Sequence, residues 1–96
     1  MHVISKKKLA VFWERHPESR RPLEAWWKIV RSSQYHTFSE LRRTFPKADK
    51  VGDRIVFDIG GNKYRLVTVM HFNRFKVYVR HVLTHHEYDQ EDWTHG

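Results

Sequence analysis

The expected fold is α+β: an antiparallel sheet meander with two to three N-terminal helices packed on one face. Two observations predict it. Before residue 50, apolar residues recur at helical spacing, most clearly in Leu23, Trp26, Trp27 and Val30. After Gly52 the period drops to two, and Gly60-Gly61 interrupts the alternating run. Helices followed by strands separate into two layers around one core.

Each element follows in order. His2 to Ile4 suits a short strand. Ser5 is placed to cap a helix running to about His16, where Pro17 stops it. Leu9, Phe12, Trp13 and His16 share its inner face. A second helix covers about Arg20 to Ser32, with Pro22 tolerated in its first turn. Thr37 and Glu40 have capping-box spacing and open a short helix through Leu41 that ends at Phe45-Pro46. Ile55, Phe57 and Ile59 then alternate with Arg54, Val56 and Asp58. Gly60-Gly61 reads as a two-residue hairpin turn, where glycine accepts positive φ. The next strand sets Tyr64, Leu66, Thr68, Met70 and Phe72 against Lys63, Arg65, Val67, Val69 and His71. Asn73-Arg74 reads as a second turn. The last strand sets Val77, Val79, His81 and Leu83 against Lys76, Tyr78, Arg80, Val82 and Thr84.

The helices need an apolar sheet face. Ile55/Phe57/Ile59, Leu66/Met70/Phe72 and Val77/Val79/Leu83 supply it, and a one-residue slip would reverse the assignment. The other face then carries Arg54, Lys63, Arg65, Lys76, Tyr78 and Arg80. Arg65 and Arg80 fall on neighbouring strands of that surface, where guanidinium forks can grip phosphate. The alternative is a plain solvated sheet face.

Composition narrows the function. Ninety-six residues make one domain, 1–96. Eighteen Lys+Arg against 11 Asp+Glu give a net charge of +7, which favours a polyanionic partner. Nucleic acid is the first candidate and an acidic protein the second. Cysteine is absent, which excludes disulfides, thiolate metal sites and cysteine nucleophiles, and suits a cytoplasmic location. The N-terminus has lysines but no apolar h-region, so no signal peptide is expected. No run of apolar residues is long enough for a membrane span. Lys6, Lys7 and Lys8 sit at the positive end of the first helix, costing ~0.3–1 kcal/mol each at low salt. Contact with an anion would offset that; a screened basic turn is the alternative.

Eight histidines raise the question of metal. His81 and His85 lie roughly 13 Å apart in a strand at ~3.3 Å per residue, too far to share an ion. No HExxH spacing occurs, so no metal or cofactor is expected. His71 reads as a structural or surface residue, and His81 as a packed neutral imidazole on the core face. His2 and His95 are terminal and uninformative. His85 and Tyr88 differ, because they follow the strand that bears Arg80. A histidine can exchange a proton near neutral pH. Arginines beside a tyrosine would lower its pKa. Such a group beside a phosphate suffices for RNA scission through attack by the ribose 2′-OH, which DNA lacks.

Two stretches carry a family resemblance: Phe57-Asp58-Ile59-Gly60-Gly61-Asn62-Lys63-Tyr64-Arg65-Leu66-Val67 and Thr84-His85-His86-Glu87-Tyr88-Asp89. Ser5 through Trp13 and Phe45-Pro46-Lys47-Ala48-Asp49 fit as well. The chain resembles the HigB toxins of type II toxin–antitoxin systems, within the RelE-like mRNA interferases. The resemblance implies a RelE-like fold and ribosome-dependent mRNA cleavage. It also implies a HigA-type helix-turn-helix antitoxin, through which operator DNA is reached only indirectly. By position, Arg65 and Arg80 correspond to phosphate-binding arginines, and His85 and Tyr88 to proton-transfer residues of unassigned order. Lys6, Lys7, Lys8, Lys63 and Tyr78 would contact mRNA or rRNA. Glu87 and Asp89 fit structural roles, orienting His85 or Arg80. The rival readings are a non-catalytic RNA- or DNA-binding module and a degenerate toxin kept for operon regulation.

Overall fold

Strands β1 (His2–Ile4), β2 (Asp49–Val51), β3 (Arg54–Ile59), β4 (Tyr64–His71) and β5 (Lys76–Thr84) form one sheet in the order β1-β5-β4-β3-β2. The computed structural model describes residues 1–90, so His95 lies outside the described residues. Strands β2 to β5 make the expected antiparallel meander. β1 departs from it: it runs parallel to β5, with Val3 opposite Val77, and makes the sheet mixed. β2 was not expected, since its three residues are all exposed and leave no alternation to read.

The helices are α1 (Lys7–Arg15), α2 (Arg20–Arg31), α3 (Phe38–Thr44) and α4 (His85–Asp89), with a 3-10 turn at Pro17–Ser19. Ser5 is not the cap of α1. It turns the chain out of β1 at φ 70, and its carbonyl accepts from Lys8 N at 3.0 Å. Lys6 is the N-cap and makes no side-chain capping bond. The Thr37 cap is as expected: its hydroxyl accepts from Glu40 N at 3.1 Å. The Glu40 carboxylate reaches one residue further back and accepts from His36 N at 2.8 Å. That bond holds Glu40 below the usual carboxylate range.

The core lies between the helices and one sheet face. Leu9, Leu23, Trp26, Val30 and Leu41 meet Ile55, Phe57, Leu66, Val77 and Val79 there. Trp26 and Phe45 both meet Phe57 edge-on, with ring centroids 5.4 and 5.1 Å away. Edge-to-face contact aligns ring quadrupoles and adds ~0.5–1.5 kcal/mol per pair beyond area burial.

Two irregularities place the site. Ile59 pairs with Tyr64, so the β3–β4 turn has four residues and is not a two-residue turn. Gly60, Gly61 and Asn62 all take positive φ, at 66, 68 and 108. The second irregularity is a bulge. Val67 pairs with His81 and Thr68 with Val79, which leaves Arg80 as the extra residue. An extra residue resets the alternation that follows it. Val82 therefore packs toward the helices, while Leu83 joins Val56, Val67 and Tyr88 in a small cluster on the other face. Leu83 and His81 thus belong to the open face and not to the core face, because the bulge inverts the strand beyond Val79.

Candidate active site

Arg65 sits on the open face, opposite Asp58 of β3 and Leu83 of β5. It is only 8% exposed. A cation buried so far must be paired and hydrogen-bonded. Nε lies 3.2 Å from Asp58 Oδ1. Nη1 donates to the carbonyls of Asn62 and Tyr64 at 3.1 and 3.2 Å. Nη2 donates to Oδ1 of Asn62 and, at 3.1 Å, to Nδ1 of His85. All three nitrogens of the fork are therefore engaged within the chain. Two of these partners belong to Asn62, which explains how the turn keeps a non-glycine residue at positive φ.

The segment that follows β5 is the five-residue helix α4. Thr84 caps it by a full capping box: its hydroxyl accepts from Glu87 N at 3.2 Å, and Glu87 Oε1 accepts from Thr84 N at 2.8 Å. Glu87 thus has the structural role expected of it. His85 N donates to Lys63 O at 3.0 Å and ties the helix start to the β3–β4 turn. His85 Nε2 faces Asp89 Oδ2 at 3.2 Å. Because Arg65 can only donate, Nδ1 must accept; the neutral imidazole then carries its proton on Nε2, toward Asp89.

α4 brings the Tyr88 ring over the Arg65 guanidinium, 5.5 Å from its centroid. The Tyr88 phenol is pushed above its usual value, chiefly by burial and then by Asp49, with smaller contributions from Asp58 and Asp89; Arg65 opposes the shift and does not overcome it. The expected lowering by arginine is therefore reversed, because the ring is half-buried and Asp49, Asp58 and Asp89 all favour the neutral phenol. At neutral pH the group is a protonated phenol.

Arg65, Tyr88, Asp58 and Asp49 wall a cavity of about 440 Å³, and Phe38, Arg42, Lys47 and Lys50 supply its other side. The three cations on that side were missed. Their charges were legible around Pro46, but only the edge strand β2 and the Arg42 Nη2 bond to Pro46 O, 2.9 Å long, bring them to the cavity. No group of three or more His, Asp or Glu side chains able to hold a metal ion occurs among the described residues.

The other candidates lie elsewhere. Arg80 lines a second cavity that, among the described residues, shares none with the first. Lys7 and Lys8 line that second cavity, and Lys8 Nζ donates to Arg80 O at 3.2 Å. The Lys6 ammonium lies 3.7 Å above the Trp27 ring. Lys63 stands in the β3–β4 turn. Tyr78 pairs with Val69, four residues along β4 from Arg65 and so roughly 13 Å away at ~3.3 Å per residue, and its ring lies tilted against His71.

A sequence-family model described as HigB_toxin, the RelE-like toxic component of a toxin-antitoxin system, matches residues 19–91. The chain belongs to the HigB toxin family. The mRNA interferase toxin HigB of Escherichia coli (strain K12) is 33% identical over 92 residues, covering 93% of this chain and 88% of the relative. The mRNA interferase HigB of Shigella flexneri matches to the same extent, 33% over 92 residues. The mRNA interferase HigB of Escherichia coli O6:H1 is 29% identical over 93 residues, covering 94% of this chain and 90% of the relative. The α+β architecture of the HigB chain agrees with the RelE-like description. As the toxic component of a two-part system it has an antitoxin partner. No helix among the described residues is long and apolar enough to cross a membrane.

Proposed function

We propose that the chain is an mRNA interferase that cleaves RNA through attack of a ribose 2′-OH on its own phosphate. The observation that carries this reading is the protonated Tyr88 phenol held over Arg65 in a cavity walled by Arg42, Lys47 and Lys50. Those three cations bind the RNA backbone. A phosphate oxygen entering the cavity competes for Arg65 Nη2 and releases Nδ1 of His85. His85 then takes the 2′ proton, the 2′ oxygen bonds to phosphorus, and Tyr88 delivers a proton to the departing 5′ oxygen. The products are a 2′,3′-cyclic phosphate and a 5′-hydroxyl. Every proton is accounted for by groups the chain carries, so the step calls for no metal or cofactor. The negative charge that develops on the phosphate is met by Arg65 and by the cavity lysines.

The HigB relatives bear the name mRNA interferase, which supports messenger RNA as the substrate. Cleavage on the ribosome, in the cytoplasm, with a HigA-type helix-turn-helix antitoxin as the neutralising partner, completes the proposal. The test is transcript 5′-end mapping after induction in cells, for the wild type and for Tyr88→Phe. New 5′ ends that vanish with Tyr88→Phe are expected. If growth stops with no new ends, the chain is a binding module. If it neither cleaves nor arrests growth, it is a degenerate toxin.

A further inference from the structure

The second cavity, of about 500 Å³, is a groove between α1 and the end of β5. Among the described residues its lining holds Lys7, Lys8, Arg15 and Arg80 and no carboxylate. Between these cations the surface is apolar: Phe12 and Val82 line it, and Val11 stands 49% exposed on its rim. A single exposed valine is ordinary on a surface, but this one adjoins the apolar floor formed by Phe12, Val82 and Leu83. The sheet adds a further feature. β1 accompanies β5 only as far as Tyr78. Among the described residues, no strand flanks the next stretch of β5 on that side. Past the Arg80 carbonyl, which Lys8 Nζ already holds, a strand edge beside an apolar floor suits an extended peptide, whose main chain pairs with the edge while alternate side chains enter the groove.

We propose that this groove receives an extended acidic segment of the antitoxin. Its apolar side chains rest on Val11, Phe12 and Val82, and its carboxylates meet Lys7, Arg15 and Arg80. Phosphates of RNA would satisfy the cations equally well, but they would leave the apolar floor in water. The floor therefore favours a peptide over a nucleic acid. The inference rests on membership of a toxin–antitoxin family and not on the ribonuclease reading. The basic groove also gives fast, salt-dependent capture of an acidic partner.

The test uses the full chain and the tagged antitoxin of its own operon. Two variants alter the groove, Val11→Asp and Arg15→Glu. Arg43→Glu makes the same charge change as Arg15→Glu at an exposed site that lines neither cavity. Antitoxin binding is measured by titration, and growth arrest is measured without antitoxin. Each groove variant is expected to weaken binding at least about tenfold, or ~1.4 kcal/mol, while arrest persists. Arg43→Glu is expected to keep both. Undiminished binding by both groove variants would overturn the proposal. Loss of arrest in both at an unchanged melting temperature would assign the groove to RNA. If even the wild type fails to arrest growth, the titration still decides this question, whatever becomes of the cleavage reading.

Discussion

Arg65 Nη2 donates to Nδ1 of His85 across 3.1 Å, and this bond fixes which imidazole nitrogen carries the proton. A lysine at position 65 would keep the charge but lose the planar fork that spans Asp58, Asn62 and His85 at once. We expect Arg65→Lys to leave a folded protein with mixed His85 tautomers, seen as intermediate ring nitrogen shifts by NMR. Of the two neutral tautomers, the wild type should show only the Nε2–H form. A wild-type imidazole protonated on Nδ1 would contradict the bond.

Tyr88 is assigned the acid role because its phenol is raised and stays protonated at cellular pH. Tyr88→Phe keeps the ring over Arg65 and removes the hydroxyl that carries the proton. Cleavage is expected to fall by about 10²–10⁴-fold, the usual worth of one general acid. The melting temperature should move far less than for Arg65→Lys. Single-turnover cleavage of a ribosome-bound message measures the first, and thermal unfolding the second.

Local rules made most of the architecture legible. The stripe Leu23, Trp26, Trp27 and Val30 gave α2, and Thr37 with Glu40 gave the start of α3, since both signals depend on residues within one or two turns. The Arg65, His85 and Tyr88 cluster was legible because it lies at the end of one hairpin. What escaped depends on pairing across the sheet. The bulge at Arg80 has no marker of its own in a run of alternating residues, yet it moves His81 and Leu83 to the other face. β2 is too short and too exposed to show a period. Without β2, the lysines after Pro46 could not be placed beside Arg65. The direction of the Tyr88 shift also needed the fold, because Asp49 is distant in sequence.

Arg42, Lys47 and Lys50 wall the cavity opposite Tyr88. As phosphate contacts they should act by counterion release, independent of RNA sequence. Replacing any one by alanine is expected to weaken RNA binding uniformly and to reduce the salt slope by about one ion or less. Lys76→Ala, on the far stretch of β5, should not change the slope. Equal slopes for all four variants would remove the cavity from the RNA path.

Gly60 has φ +66, and a Cβ there would stand 3.3 Å from Tyr64 Cδ2. A left-handed non-glycine residue costs ~1–2 kcal/mol before any steric contact. Gly60→Ala should therefore destabilise by at least that amount, lowering the melting temperature by about 4–8 °C per kcal/mol. Gly61→Ala meets nothing within 4 Å and carries the same backbone strain at φ +68. The difference between the two variants isolates the Tyr64 contact. Equal losses would show that the ring yields freely.

Tyr64 and Tyr88 set the alkaline limit of the fold. Burial raises both phenols; Tyr64 is held further by its 2.8 Å hydrogen bond to Glu18, and Tyr88 by nearby carboxylates. A group with a raised pKa in the folded state favours the protonated form. Its contribution to stability is complete below the unfolded value near ~10 and is lost as pH climbs through the folded value. The melting temperature is thus expected to show no tyrosine-linked change from pH 7 to about 9.5 and to fall beyond ~10. Tyr64→Phe should flatten that fall while lowering the plateau, because Glu18 loses its donor. Spectrophotometric titration of tyrosinate at 295 nm, run beside thermal unfolding, checks the sign (the wavelength is that of the ordinary phenolate band). Phenols that ionise below the free-tyrosine range in the folded protein would reverse the argument and would return Tyr88 to the role of base.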